Sequence, residues 1–272
     1  MTRLRGHLRE LWEYRELLRN LVVRDLKVRY KNSALGIAWS WLNPLLMMLV
    51  YTILFTVFLD RDNVPHYSVF ILSGLLPWNL FTDSIVQSTG SIVGNGHLIK
   101  KVYFPREVLP IAVVISNLVN FLISLPVFFL IALLSGASLS LWALLLPVTI
   151  LVQLMFTVGL SLILATLNVF YRDTQHILGV LTLAWFFLTP VFYPIKTVPQ
   201  QAEFMGLTFN AQLWLRRLNP MASVIASYRD LLYWGTYTGF DFMLRTAGTA
   251  AIVMIVGYLI FLRYSARFGE EV

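Results

Sequence analysis

The sequence has no cysteine and little charge: of 272 residues, only 13% are Asp, Glu, Lys or Arg. A disulfide-stapled scaffold is therefore excluded. A soluble domain carries about 25% charged and about 45–50% apolar residues, whereas this chain is 58% hydrophobic with a mean hydropathy of +0.71. Such a chain cannot cover its surface in water, and its composition describes one membrane-embedded domain. Catalytic signatures are missing too. None of the five lysines follows a glycine, so no Gly-Lys-Ser/Thr loop cradles phosphates, and neither HExxH nor GxSxG occurs. The four histidines, His7, His66, His97 and His176, lie far apart and lack metal-ligand spacing. Neither an enzyme nor a cofactor-binding chain is indicated.

What is present are long apolar runs. A bilayer-crossing helix needs about 20 mostly apolar residues. Six runs qualify as spans, at about 34–59, 67–88, 109–134, 139–169, 177–193 and 245–262, preceded by a charged segment over 1–33; five is the alternative count, because the second carries Asp83 and the fifth is short. The expected fold class is all-α integral membrane. Orientation follows from the excess of Lys and Arg on cytoplasmic flanks. Fifteen of the 21 fall on one side, in the tail to Ser33, the loop from Thr89 to Val108, Arg172, and the C-terminal Arg263 and Arg267. Both termini are then cytoplasmic. The net charge of +7 is topological, so nucleic acid is not an expected partner. The first apolar run is too long for a signal-peptide core and follows a charged tail, so it reads as its own insertion signal.

The segments between the spans are unusual. Leu4, Leu8, Leu11, Leu18, Val22 and Leu26 recur at three- and four-residue steps, with Arg9–Glu13 and Glu16–Arg19 able to pair on another face. This pattern predicts an amphipathic helix over 4–29 at the membrane interface; a merely solvated tail is the alternative. The first cytoplasmic loop holds five apolar residues between Leu98 and Phe104, flanked by charge. That fits a docking surface, or a loop resting on the bilayer. Beyond Pro194, Asn219-Pro220 predicts a helix start. Val224, Ile225, Tyr228, Leu231 and Leu232 follow at helical spacing up to Gly235, as an amphipathic helix on or dipping into the outer leaflet.

Two helical stripes mix small, polar and aromatic residues within about an 80° arc at 100° per residue. Gly36, Ser40, Asn43, Met47, Tyr51, Leu54 and Phe58 form one, and Gln175, Thr182, Phe186, Thr189 and Tyr193 the other. Close helix packing favours such residues. A passage for sugar favours them as well, since C–H faces rest on rings while hydroxyls take hydrogen bonds. Asp83 lies inside the second span and suits either an interhelical hydrogen bond or proton transfer.

Three stretches carry a family resemblance. Asp25-Leu26-Lys27-Val28-Arg29-Tyr30-Lys31-Asn32-Ser33-Ala34-Leu35-Gly36, followed by Trp39, Leu42, Asn43 and Pro44, resembles the opening of type-2 ABC-transporter permeases that export polysaccharide (O-antigen, capsule or teichoic acid). Ile99-Lys100-Lys101-Val102-Tyr103-Phe104-Pro105-Arg106 resembles their first cytoplasmic loop. Tyr171-Arg172-Asp173, Thr189-Pro190-Val191-Phe192-Tyr193-Pro194 and Asn219-Pro220 resemble later landmarks, in the same order.

The resemblance implies six spans, an N-terminal interface helix, a coupling helix and short external re-entrant helices, in the cytoplasmic membrane of a prokaryote. It places ATPase coupling on His97, Leu98, Ile99, Lys100, Lys101, Val102, Tyr103 and Phe104, and a gate region on Tyr30, Lys31, Ser33 and Gly36. The implied substrate channel runs along Asn43, Met47, Tyr51 and Phe58 of span one and Thr182, Phe186, Thr189 and Tyr193 of span five. It also implies a homodimer with two copies of a separate ABC ATPase, which uses the ATP and Mg, and a lipid-linked polysaccharide as substrate. The rival functions are a type-2 permease for drugs or small lipids, a proton-coupled carrier using Asp83, and a non-transporting scaffold.

Overall fold

Helices dominate because apolar runs of this length can hide their backbone polar groups only by bonding along their own axis. The computed structural model describes residues 13–31, 33–58, 64–137, 140–204 and 206–272, without the side chains of Val57, Phe58, Phe204 and Leu207. Residues 4–12 of the expected interface helix lie outside this set. In chain order the helices are α1 (Arg15–Tyr30), α2 (Trp39–Thr52), α3 (Tyr67–Thr89), the short α4 (Ser91–Gly94) and α5 (Gly96–Lys101), then α6 (Val108–Leu134), α7 (Leu146–Phe170) and α8 (Thr174–Phe187). After α8 come α9 (Ala211–Leu218), α10 (Pro220–Arg229), α11 (Phe240–Ser265) and α12 (Phe268–Glu271). A two-stranded antiparallel hairpin, β1 (Gln201–Phe204) with β2 (Leu207–Asn210), pairs Gln201 with Asn210.

Among the described residues five helices are long and apolar enough to cross a membrane: Gly36–Thr56, α3, α6, Leu141–Phe170 and α11. The fifth expected span differs. Its helix stops at Phe187 and has 14 residues, about 21 Å at 1.5 Å per residue against a hydrocarbon core of about 30 Å. The chain still changes ends here. Val169 at the end of α7 belongs to one apolar cluster with Ile92, Phe104 and Phe268, and α11 returns to that same cluster through Phe261. A short helix and the turn at 188–194 together make the fifth crossing.

α3 is the central helix, with 78% of its apolar window buried against 6% for the first span. Several of its small polar residues, Ser73, Ser88 and Thr89, permit this because their hydroxyls bond their own backbone. Ser73 Oγ donates to the Phe70 carbonyl at 2.8 Å and Thr89 Oγ1 to that of Ile85 at 2.6 Å. The helix that starts at Asn219-Pro220 forms as expected and its last turn widens over Asp230–Trp234, ending at Gly235 with φ +63. Its placement departs from the expected surface position. Met221, Val224, Ile225, Tyr228 and Leu231 are all buried in the main core, and Ala222 is buried as well. The polar face is enclosed too, since Ser227 Oγ bonds the Ser223 carbonyl at 3.1 Å and Ser223 Oγ the Arg216 carbonyl at 2.8 Å. α10 is thus a re-entrant helix held inside the bundle. α1 likewise turns its stripe toward protein: Val22 is buried and Leu18 and Leu26 pack on the cluster of Ile92 and Ile99.

The closest helix approach joins α7 to α11. A methyl group at Gly257 would fall 2.1 Å from the Gly159 carbonyl oxygen, and one at Gly159 would fall 2.6 Å from the Met254 backbone. Small residues let membrane helices meet backbone to backbone. Gly257→Ala must therefore push α11 off α7, costing about 1–3 kcal/mol as core overpacking does. Gly248→Ala, on the same helix with nothing within 4 Å, is the control. Thermal unfolding of the detergent-purified chain should show a lower midpoint for Gly257→Ala and none for Gly248→Ala; equal midpoints would refute the close-packed seam.

Candidate functional site

The two stripes meet. Tyr51 of α2 and Phe186 of α8 have ring centroids 6.1 Å apart. Phe192, in the turn after α8, stacks on Tyr51 at 6.1 Å with an interplanar angle of 5° and on Phe55 at 5.3 Å. From there the rings continue through Tyr67 and Phe70 to Tyr233. Inward, Phe186 touches Trp78 at 5.5 Å. The result is a continuous aromatic seam from mid-bundle to the end away from α1 and α12. Asn43 and Met47 are exposed on α2, beside this seam. The side chain of Phe58 lies outside the described residues.

The hydroxyls expected in a passage are committed elsewhere in this chain. Thr182 is buried and donates to the Leu178 carbonyl at 2.8 Å. Thr189 is fully buried; it donates to the Trp185 carbonyl at 2.7 Å and accepts from Asn219 Nδ2 at 2.8 Å. A buried hydroxyl with its proton in a backbone bond is a structural fastening. Tyr193 OH donates to the Phe187 carbonyl at 3.1 Å. Only the rings and the exposed Asn43 and Met47 remain free to meet a substrate.

The irregular stretch after α8 is held by Arg229 from α10. Its guanidinium donates to the carbonyls of Pro190 and Val191, and to Tyr193 at 3.4 Å. It lies flat on Phe70, 3.8 Å from the ring centroid, a cation–π geometry. Gly74 makes the room, since a methyl group there would sit 2.9 Å from Arg229 Nη2. Asn219 adds a second fastening, accepting from Trp185 Nε1 at 2.9 Å and donating to the Leu188 carbonyl at 3.2 Å.

At the other end, a polar node joins α1, α2 and α6. The hydroxyls of Tyr30 and Ser40 touch, and both donate to Asn120 Oδ1 at 2.5 Å. Pro44 has no N–H, so the Ser40 carbonyl four residues earlier loses its helical donor; Ser124 Oγ supplies one at 2.9 Å. Arg29 donates to Gln87 at 2.7 Å and Asn117 at 2.8 Å, and its charge acts on Asp83 one turn away. Ser33 and Gly36 form the turn between α1 and α2, where Gly36 takes φ +52, a conformation glycine adopts freely. Lys31 is exposed.

The loop from His97 to Phe104 divides sharply. His97, Lys100, Lys101, Val102 and Tyr103 are exposed, Tyr103 at 85%. Ile99 and Phe104 are buried, Phe104 at 5%, and Leu98 packs on the same cluster. Phe104 therefore faces the core, contrary to the expectation that it is free to enter a partner. The C-terminal segment braces the loop: a methyl group at Gly96 would meet Val272 at 2.3 Å, and Arg106 donates to the Ser265 carbonyl at the end of α11. Sequence patterning missed Phe192, Trp78, Phe55 and Tyr67, which lie outside the two stripes; it also missed Asn120, whose side-chain partners Tyr30 and Ser40 come from two other helices.

Comparison with known proteins bears on this arrangement. The pattern of the ABC-2 type transporter family matches residues 16–233. The O-antigen export system permease protein RfbA of Myxococcus xanthus is 39% identical over 264 residues, 97% of this chain and 98% of that protein. A protein of the same name from Klebsiella pneumoniae is 35% identical over 256 residues, 94% of each. The polysialic acid transport protein KpsM of Escherichia coli is 26% identical over 217 residues, 77% of this chain and 78% of that protein. With the match running through the node, the loop, the seam and α10, the chain belongs to the ABC-2 type transporter family.

Proposed function

We propose that this chain is the transmembrane half of an ATP-driven exporter of lipid-linked polysaccharide. The observation that carries the reading is the likeness along 97% of the chain to an O-antigen export permease. The aromatic seam supports it, because ring faces bind sugar C–H faces without demanding one geometry. Two copies would place two seams, one from each chain, about a shared passage. Two ATPase subunits would dock at the end bearing both termini, where the Lys and Arg excess places the cytoplasm.

Motion would pass from ATPase to seam through contacts already described. Tyr103 and Val102 meet the partner. Tyr14 OH donates to the Tyr103 carbonyl at 3.4 Å and Arg24 Nη1 to Asn95 Oδ1 at 3.2 Å, so displacement of the loop pulls α1. α1 ends at Tyr30, whose hydroxyl belongs to the node at the base of α2, and α2 carries Tyr51. Each sugar–ring contact must stay weak, because a moving polymer has to leave every site it enters.

Three outcomes are expected. Tyr103→Asp should lose co-purification with the ATPase and most surface polymer at unchanged permease abundance, whereas Phe104→Asp should lower permease abundance by burying a charge; normal co-purification and polymer in Tyr103→Asp would remove the loop from coupling. Tyr51→Ala and Phe186→Ala should each slow export a few-fold, about the 0.5–1.5 kcal/mol of one ring contact. The double change should nearly abolish it, with the lipid-side Leu49→Ala as control; full export in the double mutant would sink the seam as passage. Asn120→Leu removes the acceptor shared by two hydroxyls, about 1–3 kcal/mol. It should expose Lys27, Arg29 and Lys31 to trypsin faster than in the parent, and unchanged cleavage would show that the node does not hold α1.

A further inference from the structure

We propose that a cavity at the end of the bundle away from the termini is a binding site for a phosphorylated sugar. The cavity measures about 760 Å³ and lies between α3, the turn after α8 and the re-entrant α10. That volume falls within the range of about 300–1,000 Å³ of small-molecule sites. Its walls are of two kinds. Tyr67, Tyr193 and Trp234 bring ring surface, and Lys196, Arg216 and Arg229 bring three positive charges.

The charge balance points to an anion. Among the described residues Asp230 is the one carboxylate in the wall, and its Oδ2 accepts from Thr238 Oγ1 at 3.1 Å. Burial raises the Asp230 carboxyl from its ordinary value, with the Thr238 hydrogen bond and the Arg216 charge opposing. Among the described residues, none of the three cations forms an ion pair. Arg229 is 95% buried by its 5% exposure, and its Nε has no hydrogen-bond partner among the described residues. Arginine stays charged at neutral pH. A buried cation without a counter-charge is costly, and an anionic ligand would offset that cost.

The rings select the body of the ligand. An acyl chain would fit the apolar wall and leave its net positive charge unanswered; inorganic phosphate would answer the charge and leave the rings unused. A sugar carrying a phosphate uses both. The cavity also continues the aromatic seam, because Phe192 lines it and stacks on Tyr51 and Phe55. The site rests on the export reading only for the source of its ligand, a phosphate-bearing unit of the glycan or its lipid-linked end.

The test uses the full-length chain in nanodiscs of zwitterionic lipid. Thr236→Cys places one thiol in the cavity wall of a chain that otherwise has no cysteine, and a membrane-impermeant maleimide reports its access. Glucose 1-phosphate should slow labelling saturably, inorganic phosphate much less, and glucose not at all. Adding Lys196→Gln with Arg216→Gln should weaken protection about tenfold, the equivalent of one lost charge-assisted contact, with an unchanged melting temperature. Equal protection by inorganic phosphate or by glucose, or protection by none, overturns the proposal. So does protection that appears only when phosphatidylglycerol is added to the discs without sugar phosphate, which assigns the site to a lipid headgroup. Surface polymer in cells separates the two readings: protection with no polymer loss in the Tyr51→Ala, Phe186→Ala double mutant sinks the passage and leaves the site standing.

Discussion

The Arg229 guanidinium is the fastening on which the far half of the molecule depends. In hydrocarbon every exposed backbone group goes unpaid unless the protein satisfies it, and the stretch 188–194 is not helical. Arg229 answers three of its carbonyls from a single side chain. Lysine could not do this from one point charge, because only a planar fork spreads several donors at fixed angles. The arrangement needs its surroundings as much as they need it. Gly74 must lack a side chain, Phe70 must offer its face, and α10 must be buried to bring the guanidinium there.

This fastening explains why a 14-residue helix can serve as the fifth crossing. α8 stops short, and the carbonyls that follow it, of Leu188 and Pro190, pass to Asn219 and Arg229 rather than to another helical turn. The broken helix places Phe192 beside Tyr51, a position that a continuous helix through 193 would not reach with the same ring. At the other end the same rule operates with weaker partners. Pro44 frees a carbonyl that Ser124 answers, and neutral hydroxyls and amides form the node around Asn120. One end is thus clamped by a buried charge, while the node around Asn120 at the other is made of exchangeable neutral bonds, with Arg29 bonded to Gln87 and Asn117 beside it.

Much of the fold is legible in the sequence because membrane spans write themselves in length and apolarity. The long runs, the start at Asn219-Pro220, the stop at Gly235 and the Glu16–Arg19 pair, 3.9 Å apart, all follow from local chemistry. Burial of α10 was not legible: Ser223 and Ser227 among small residues look like a polar face until their hydroxyls are seen to bond the Arg216 and Ser223 carbonyls. Phe104 misleads for the opposite reason. Its neighbours in sequence are exposed, and only the arrival of Ile92, Val169 and Phe268 from distant segments encloses it. The hairpin at 201–210 rests on two four-residue strands, too short for periodicity to register. Stripe residues Thr182 and Thr189 share an arc with Phe186, yet helical phase carries no information about where a hydroxyl proton goes.

The asymmetry between the two ends constrains how such a protein can move. A hydrogen bond between neutral groups contributes about 0.5–1.5 kcal/mol net, so the node can be exchanged for water bonds at modest cost. Removing Arg229 from its carbonyls would strand a buried charge, which costs several times more. Force applied at the loop should therefore be absorbed where bonds are cheap, at Tyr30, Ser40 and Asn120, while the turn after α8 and α10 remain a fixed wall. α2 has few buried residues and is joined to that wall chiefly through rings, Tyr51 and Phe55 on Phe192 and Phe186. Ring contacts tolerate sliding better than directional hydrogen bonds. α2 can then shift against a rigid partner along the seam itself, which is the motion a passage for a polymer requires.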